Sequence, residues 1–337
     1  MAGGSFMNDM PDCHVILSAP YDRDEWLELR NHGIGGSDAA VVMGLSPYKS
    51  AYELWLEKRG EQTPNRDEPG PESPIYWGNA LEDDVADAFE LTTGLRCVTA
   101  PGLLANNAEP FLFANPDRLV YDGGELVGLL EAKTTGLHMS HEWEGDELPA
   151  AALLQTHHYL MVTGLPRAWV AGLIAGQRFV CKEVERDDVL HKAMRLADVS
   201  FWERVESGAP PPPDGSASAA AAVRRRWPEA TEEDAVVLAP ADYTAVAKIR
   251  SLADLIKTTT QERDALIQAL QDKLGDHPVG IYDDEVVVRW SNVTTNRLDT
   301  TALRAAHPDI ADEFTRPTQS RRFTTVPSKE VKRHGNE

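Results

Sequence analysis

The sequence predicts a mixed α/β fold, a central mixed sheet flanked by helices, followed by an α+β appendage. Three observations predict it. Over the first two hundred or so residues, apolar patterns run in the order helices, hairpin, helix, hairpin, helix. Four consecutive prolines and a Gly/Ser/Ala run at 209–222 then break the pattern and read as a loose linker. Beyond it, one long helical pattern and a few strand-like stretches form a second, different region. The expected division is 12–208, a linker at 209–222, and an appendage at 223–337.

Each element has a local reason. Residues 25–30 read as a short helix. Gly35, Gly36 and Ser37 make a turn with a serine N-cap, and Asp38 lies in the first turn of the helix that follows. At 50–59, Tyr52, Leu54, Trp55 and Leu56 form an apolar face. At 80–92, Leu81, Val85, Ala88 and Phe89 recur at helical spacing, and Gly94 ends the helix. Strands at 111–114 and 118–121 flank the turn Asn115-Pro116-Asp117. Asp122-Gly123-Gly124 turns the chain into an apolar strand at 126–133. A helix at 149–163, a hairpin at 167–175 and 178–185, and a closing helix at 187–206 complete the first region. In the second, 242–274 reads as one helix, 281–290 and 322–326 as strands, and 300–307 as a short helix.

Composition narrows the class. The chain has 337 residues, 42% hydrophobic and 26% charged, the profile of a soluble globular protein. No apolar run approaches the roughly 20 residues of a membrane helix, and the N-terminal residues lack the pattern of a signal peptide. Cys13, Cys97 and Cys181 are odd in number and far apart, which argues against a disulfide framework, a structural zinc site or a four-cysteine cluster and points to a reducing, cytoplasmic setting. The net charge of −21 is uneven: residues 1–210 carry 16 basic and 34 acidic side chains, residues 211–337 carry 17 and 20. Contact with a polyanion must therefore use a few placed cations rather than a basic surface.

The chemistry centres on Asp117, Glu131 and Lys133. Glu131 and Lys133 are two apart on a strand, so they share a face. The hairpin returns Asp117 to the end of that strand. Two carboxylates, a lysine and the intervening Ala132 carbonyl make a cradle for Mg²⁺ or Mn²⁺. The bare spacing recurs by chance in many proteins as a surface pair and an unrelated turn. Here the preceding strand is almost wholly apolar, so two charges at its end are costly unless used. Glu82, in the first turn of its helix, is either a third carboxylate for the site or a simple helix-dipole acid. Gln155 and Tyr159 share a helical face. Arg30 and Ser37, beside the glycine turn, read either as an anion clamp or as an N-cap and a surface arginine. His138, His141, His157 and His158 lack a consistent partner set and are not read as metal ligands. No Walker-type loop and no nucleophile elbow is present.

Taken in order, these segments resemble the YqaJ-type viral recombinase nucleases, relatives of lambda exonuclease in the PD-(D/E)xK superfamily. The resemblance is carried by Arg30 and Ile34-Gly35-Gly36-Ser37-Asp38, by Gly44-Leu45-Ser46-Pro47-Tyr48 and Glu53-Leu54-Trp55, by Gly78-Asn79 with Leu81-Glu82, by Asn115-Pro116-Asp117, by Leu130-Glu131-Ala132-Lys133-Thr134, and by Gln155, Tyr159 and Gly164. It spans about residues 20–205. It implies a restriction-endonuclease-like core and Mg²⁺-dependent hydrolysis of DNA, with Mn²⁺ as a substitute and two ions in the site. Asp117, Glu131 and Lys133 would be catalytic, with Gln155 and Tyr159 on the helix near the nucleotide. Glu82, Asp117, Glu131 and the Ala132 carbonyl would hold metal. Arg30 and Ser37 would hold a terminal 5′-phosphate. That match implies 5′ to 3′ digestion of linear duplex ends, leaving a 3′ strand for a phage single-strand annealing protein. It also implies a ring-shaped homo-oligomer and DNA recombination in the host bacterial cytoplasm. The residues alone leave open another nuclease of the same superfamily, endonuclease or repair enzyme, and an inactive DNA-end-binding module. The chain departs from the lambda type in its long second region, where Arg316, Arg321, Arg322, Lys329, Lys332 and Arg333 form a basic tail read as solvated rather than DNA-bound.

Overall fold

The structure is a computed structural model that describes residues 10, 12–62, 70–230, 235–318 and 320–326. It divides into two compact units, 1–227 and 228–337.

In the first unit the elements are β1 (Cys13–Ser18), α1 (Arg23–Arg30), α2 (Gly36–Val42), α3 (Ala51–Lys58), α4 (Pro74–Ala80), α5 (Glu82–Thr93), β2 (Arg96–Thr99), β3 (Gly102–Asn106), β4 (Phe113–Ala114), β5 (Arg118–Asp122) and β6 (Glu125–Thr135). After a 3₁₀ turn at Leu137–Trp143 come α6 (Ala150–Thr163), β7 (Arg167–Ile174), β8 (Arg178–Glu185), α7 (Asp188–Ser207) and α8 (Ala217–Arg226). Five strands form the central sheet in the order β2-β5-β6-β7-β8. Only β6 and β7 run parallel, and α6 is the crossover that this pairing requires. This is the predicted architecture, a mixed sheet with helices on both faces, as expected of a restriction-endonuclease-like core.

Strand β6 shows why the site forms where it does. Gly123 and Gly124 both have positive φ, 55° and 100°, so the two-residue turn closes a tight hairpin from β5. Leu129 is buried in the core cluster that also holds Tyr159, Leu160 and Val162 of α6. Leu130, on the opposite face, is buried in a second cluster with Val85 and Phe89 of α5. The strand is thus apolar on both sides until Glu131.

The structure corrects the sequence reading in four places. The expected linker is ordered in its second half, and the division falls after Trp227 rather than at 209–222. Ser216 caps α8, accepting the Ala219 N–H at 3.1 Å, and Ala219 and Ala222 are buried against α3. The alanine run reads as low complexity but is a strong helix former with a small-residue packing face. Second, β1, β2 and β3 were not foreseen. In a three-stranded sheet β1-β3-β4, β1 and β3 pair across 13–18 and 102–106, a non-local pairing without a turn signal. Third, in the second unit the single strand expected at 281–290 is a hairpin. Asp283 and Asp284 adopt positive φ, 49° and 65°, between β9 (Val279–Tyr282) and β10 (Glu285–Arg289). Fourth, 322–326 forms no strand. Between the two regions of the second unit just named and its start lies α9 (Pro240–Leu274), and after the hairpin come α10 (Thr300–Ala306) and α11 (Pro308–Phe314). Lys329, Lys332 and Arg333 of the expected basic tail lie outside the described residues. No helix among the described residues is long and apolar enough to cross a membrane.

Candidate active site

Strand β5 stops short of β6. Their register ends at Arg118 opposite Leu130, so β6 runs on from Glu131 paired only with β7. The Asn115-Pro116-Asp117 turn fills the place β5 leaves. The Ala132 N–H donates to Asp117 Oδ2 at 2.7 Å. In an extended strand a residue's N–H and C=O leave on the same side, so the Ala132 carbonyl faces the Asp117 side as well. Asp117 and the segment from Glu131 to Lys133 are therefore brought together at an open strand end.

On the α6 face, Lys133 Nζ donates to Glu131 Oε1 and, at 3.1 Å, to Gln155 Oε1. Gln155 Nε2 donates to the same Glu131 oxygen at 2.6 Å and lies 3.0 Å from the Tyr159 hydroxyl. Glu131, Lys133, Gln155 and Tyr159 are thus one hydrogen-bonded cluster. Gly36 sits against it: a Cβ there would overlap the Tyr159 ring, so only glycine lets α2 approach α6 this closely. That approach brings in Arg30 and Ser37. Arg30 Nη2 donates to Ser37 Oγ at 2.5 Å, and the guanidinium lies 4.9 Å over the Trp26 ring. Arg30, Ser37, Gln155, Tyr159 and Asp117 line one cleft of about 180 Å³. Asp117 also borders a larger cleft of about 690 Å³, with Tyr21, Glu82 and Asn115.

The electrostatics are unbalanced. Glu131 is 2% exposed, and its Oε2 has no hydrogen-bond partner among the described residues. Burial pushes its carboxyl up, and Lys133 offsets this only in part. Burial, Glu131 and Glu82 together push Asp117 well above the usual carboxylate range. Burial alone would depress Lys133, but Glu131, Asp117 and Glu82 hold its ammonium above its ordinary value. Burial, Glu131 and Asp117 push the Tyr159 phenol well up, so it stays protonated.

Glu82 differs from the reading that put it in the cradle. Arg118 Nη1 donates to Glu82 Oε1 and, at 2.6 Å, to the Asp117 carbonyl, while Nη2 donates to Asp83. Among the described residues, no group of three or more His, Cys, Asp or Glu side chains is close enough to hold a metal. What remains is Asp117, Glu131 and the Ala132 carbonyl. An orphaned carboxylate oxygen beside a second carboxyl, both short of neutralising charge, suits a hard divalent cation, so this donor set fits one. Arg118 was missed although it adjoins Asp117 in the sequence. Lys58, which pairs with Asp38 at 2.8 Å, was also missed, because nothing local links two residues twenty apart. The rejected histidines are bonded elsewhere: His157 to His191 at 3.1 Å, and His158 Nε2 to the Phe113 carbonyl at 3.0 Å.

The family model of the YqaJ-like viral recombinase domain matches residues 25–166. The uncharacterized protein YqaJ of Bacillus subtilis (strain 168) is 34% identical over 312 residues, 92% of this chain and 96% of that protein. Among solved structures, an alkaline exonuclease (LHK-Exo) from Laribacter hongkongensis is 19% identical, with a TM-score of 0.45 over 55% of this chain and 93% of its own. A phage related exonuclease from Haemophilus somnus 129PT is 14% identical, with a TM-score of 0.39 over 54% of this chain and 99% of its own.

Proposed function

Because the chain belongs to the YqaJ-like viral recombinase family, we propose that it is a divalent-cation-dependent deoxyribonuclease that digests linear duplex DNA from its ends, 5′ to 3′, and leaves a 3′ strand for annealing. The observation that carries the proposal is the Glu131 Oε2 atom, buried without a partner among the described residues and beside a second carboxyl, Asp117, raised by burial. A buried carboxylate in that state is unfavourable in the free protein and satisfied by a cation.

Asp117, Glu131 and the Ala132 carbonyl would hold one Mg²⁺ or Mn²⁺ ion, and Glu82, on exchanging its Arg118 bond, would serve a second. When bound, the metal supplies an activated water and offsets charge on the scissile phosphate. Lys133 keeps its proton and stands ready to stabilise the charge that develops on phosphorus. Gln155 fixes Glu131 and Lys133 relative to each other through both ends of its amide. Arg30 and Ser37, across the small cleft from Asp117, would bind the terminal 5′-phosphate and set the register of cleavage.

The test uses three substrates in Mg²⁺, with EDTA as control. Linear duplex with 5′-phosphate ends should be digested, linear duplex with 5′-hydroxyl ends should be digested more slowly, and closed circular plasmid should survive. Nicking of the circle would replace the exonuclease reading with an endonuclease. Digestion unaffected by EDTA would overturn the metal-dependent reading.

A further inference from the structure

In the second unit, α9 runs for 35 residues, a length of about 52 Å. None of its residues is buried. Leu252, Ile256, Leu266 and Leu270 are 47, 66, 69 and 47% exposed. A single helix of this length with uncovered leucines is not stable by its own packing. Together with Thr259 and Arg263, these side chains recur at alternating intervals of four and three residues, the 3.5-residue period of a coiled-coil seam.

The seam has a further property. Read in either direction, it runs apolar, apolar, polar, polar, apolar, apolar. A second copy of the helix laid antiparallel would place Leu252 opposite Leu270, Ile256 opposite Leu266 and Thr259 opposite Arg263, with the twofold axis level with Gln261. In these six layers every apolar side chain meets an apolar one and the polar layers meet at the centre, while the next layer out sets Ile249 against Lys273. Parallel pairing would instead stack Arg263 on its own copy. Glu262 flanks the seam next to the axis, so each Arg263 lies within reach of Glu262 of the other copy. Among the described residues Arg263 bonds the neighbouring, half-exposed Asp264 at 2.7 Å, a contact it can exchange. Formal charge agrees: on the two sides of the Gln261 axis, residues 248–260 carry three basic and one acidic side chain, and residues 262–274 carry two and three. Antiparallel pairing sets the basic half of one helix against the acidic half of the other.

We propose that α9 is a self-association device, forming an antiparallel two-helix coiled coil with α9 of a second copy of this chain. A central polar layer in such a seam fixes register and orientation at some cost in stability. The interface is isologous, so the assembly holds an even number of copies. The inference does not depend on the catalytic proposal.

Two measurements on the full-length chain test it. The first is mass in solution by sedimentation equilibrium. The wild type should contain an even number of copies at micromolar concentration. Ile256→Asp or Leu266→Asp should weaken association at least a hundredfold while circular dichroism retains the helix content. A monomeric wild type at 50 µM (about the working range of such an experiment), or a mass unchanged by both substitutions, would overturn the proposal. The second is disulfide trapping, with the wild type and its three native cysteines as background. Ile256→Cys/Leu266→Cys should form interchain disulfides under mild oxidation, whereas Ile256→Cys alone should not, because its two copies would lie about 15 Å apart. Cross-linking of the single variant would show parallel pairing and overturn the antiparallel assignment.

Discussion

Asp38 and Glu131 are both buried carboxylates, 5% and 2% exposed, each beside a lysine, and they end in opposite states. Asp38 is fully met. Its Oδ2 accepts from Lys58 at 2.8 Å and from the Gly35 N–H at 3.1 Å, and its Oδ1 lies 3.5 Å from Arg30. Burial pushes its carboxyl up, but Lys58 and Arg30 outweigh that and hold it well below the usual range. Glu131 offers one oxygen to Lys133 and Gln155, leaves the other unmet among the described residues, and feels the charge of Glu82. Burial is common to both, so it does not make the difference. The ratio of cations to anions in the cluster does: Asp38 has two cations, Lys58 and Arg30, whereas Lys133 is shared by Glu131, Asp117 and Glu82. The first cluster braces α2 and α3, and the second is left in need of positive charge.

The largest expected effect tests the second cluster. Glu131→Gln keeps the shape and removes the charge. Nuclease turnover on linear duplex should fall at least ~10³-fold, about 4 kcal/mol. Thermal stability in EDTA should be equal to or above that of the wild type, because an unmet buried carboxylate is gone. A large drop in stability would mean that Glu131 braces the fold as Asp38 does.

The converse substitution tests the first cluster. The Lys58 side chain is 4% exposed and also donates to the Arg30 carbonyl at 2.8 Å. Lys58→Met leaves Asp38 buried with only the more distant Arg30, and should cost about 3–5 kcal/mol in urea unfolding. Adding Asp38→Leu should recover much of that loss, since replacing both partners by apolar groups removes the unpaired charge. No such recovery is expected from any partner of Glu131→Gln, which starts from no loss.

How far the sequence revealed these two clusters follows from how local each one is. Asp117, Glu131 and Lys133 were legible because a two-residue strand spacing and a glycine hairpin fix their relation within seventeen residues of chain. Gln155 and Tyr159 were legible as one helical face. The Asp38–Lys58 pair was not, because α2 and α3 are joined by an irregular loop and no periodicity relates them. The Arg118 bond to Glu82 was hidden for a different reason: sequence places both residues near the site but does not say which oxygen a guanidinium will take. Helix α8 was hidden by composition, since an Ala/Ser run after prolines resembles a loose linker until Ser218 is seen to bond Ser50 and Glu53.

A smaller effect tests the joint between the clusters. Gly36 lies in α2 with Asp38 and touches Tyr159 of the Glu131 cluster. Gly36→Ala gains helix propensity but drives a methyl into the Tyr159 ring. It should cost about 1–3 kcal/mol in urea unfolding. Because Tyr159 bonds Gln155, turnover should fall along with stability. Lost stability with unchanged turnover would show that the ring moves without carrying Gln155.

The smallest signal carries the sharpest sign. In EDTA the two clusters should bend the pH dependence of stability in opposite directions. Asp38 is held below the usual carboxylate range by Lys58 and Arg30, so the unfolded chain binds its proton first as pH falls. Its contribution is present above that range and is lost as pH falls through the lower folded value. Asp117 is raised by burial and by the charges of Glu131 and Glu82, and Glu131 by burial and by Glu82, so there the folded chain holds the proton longer. Their contribution is present at low pH and is lost as pH rises from the usual range through their higher folded values. Urea unfolding from pH 3 to 9 should therefore show an acid limb that flattens in Asp38→Asn and a decline above pH 5 that flattens in Glu131→Gln. Saturating Mg²⁺ should remove the second slope from the wild type and leave the first, since a bound cation favours the ionised carboxylates and does nothing for Asp38. If Glu131→Gln and the wild type gave the same profile above pH 5 in EDTA, the contrast between a satisfied and an unsatisfied carboxylate would have no thermodynamic counterpart.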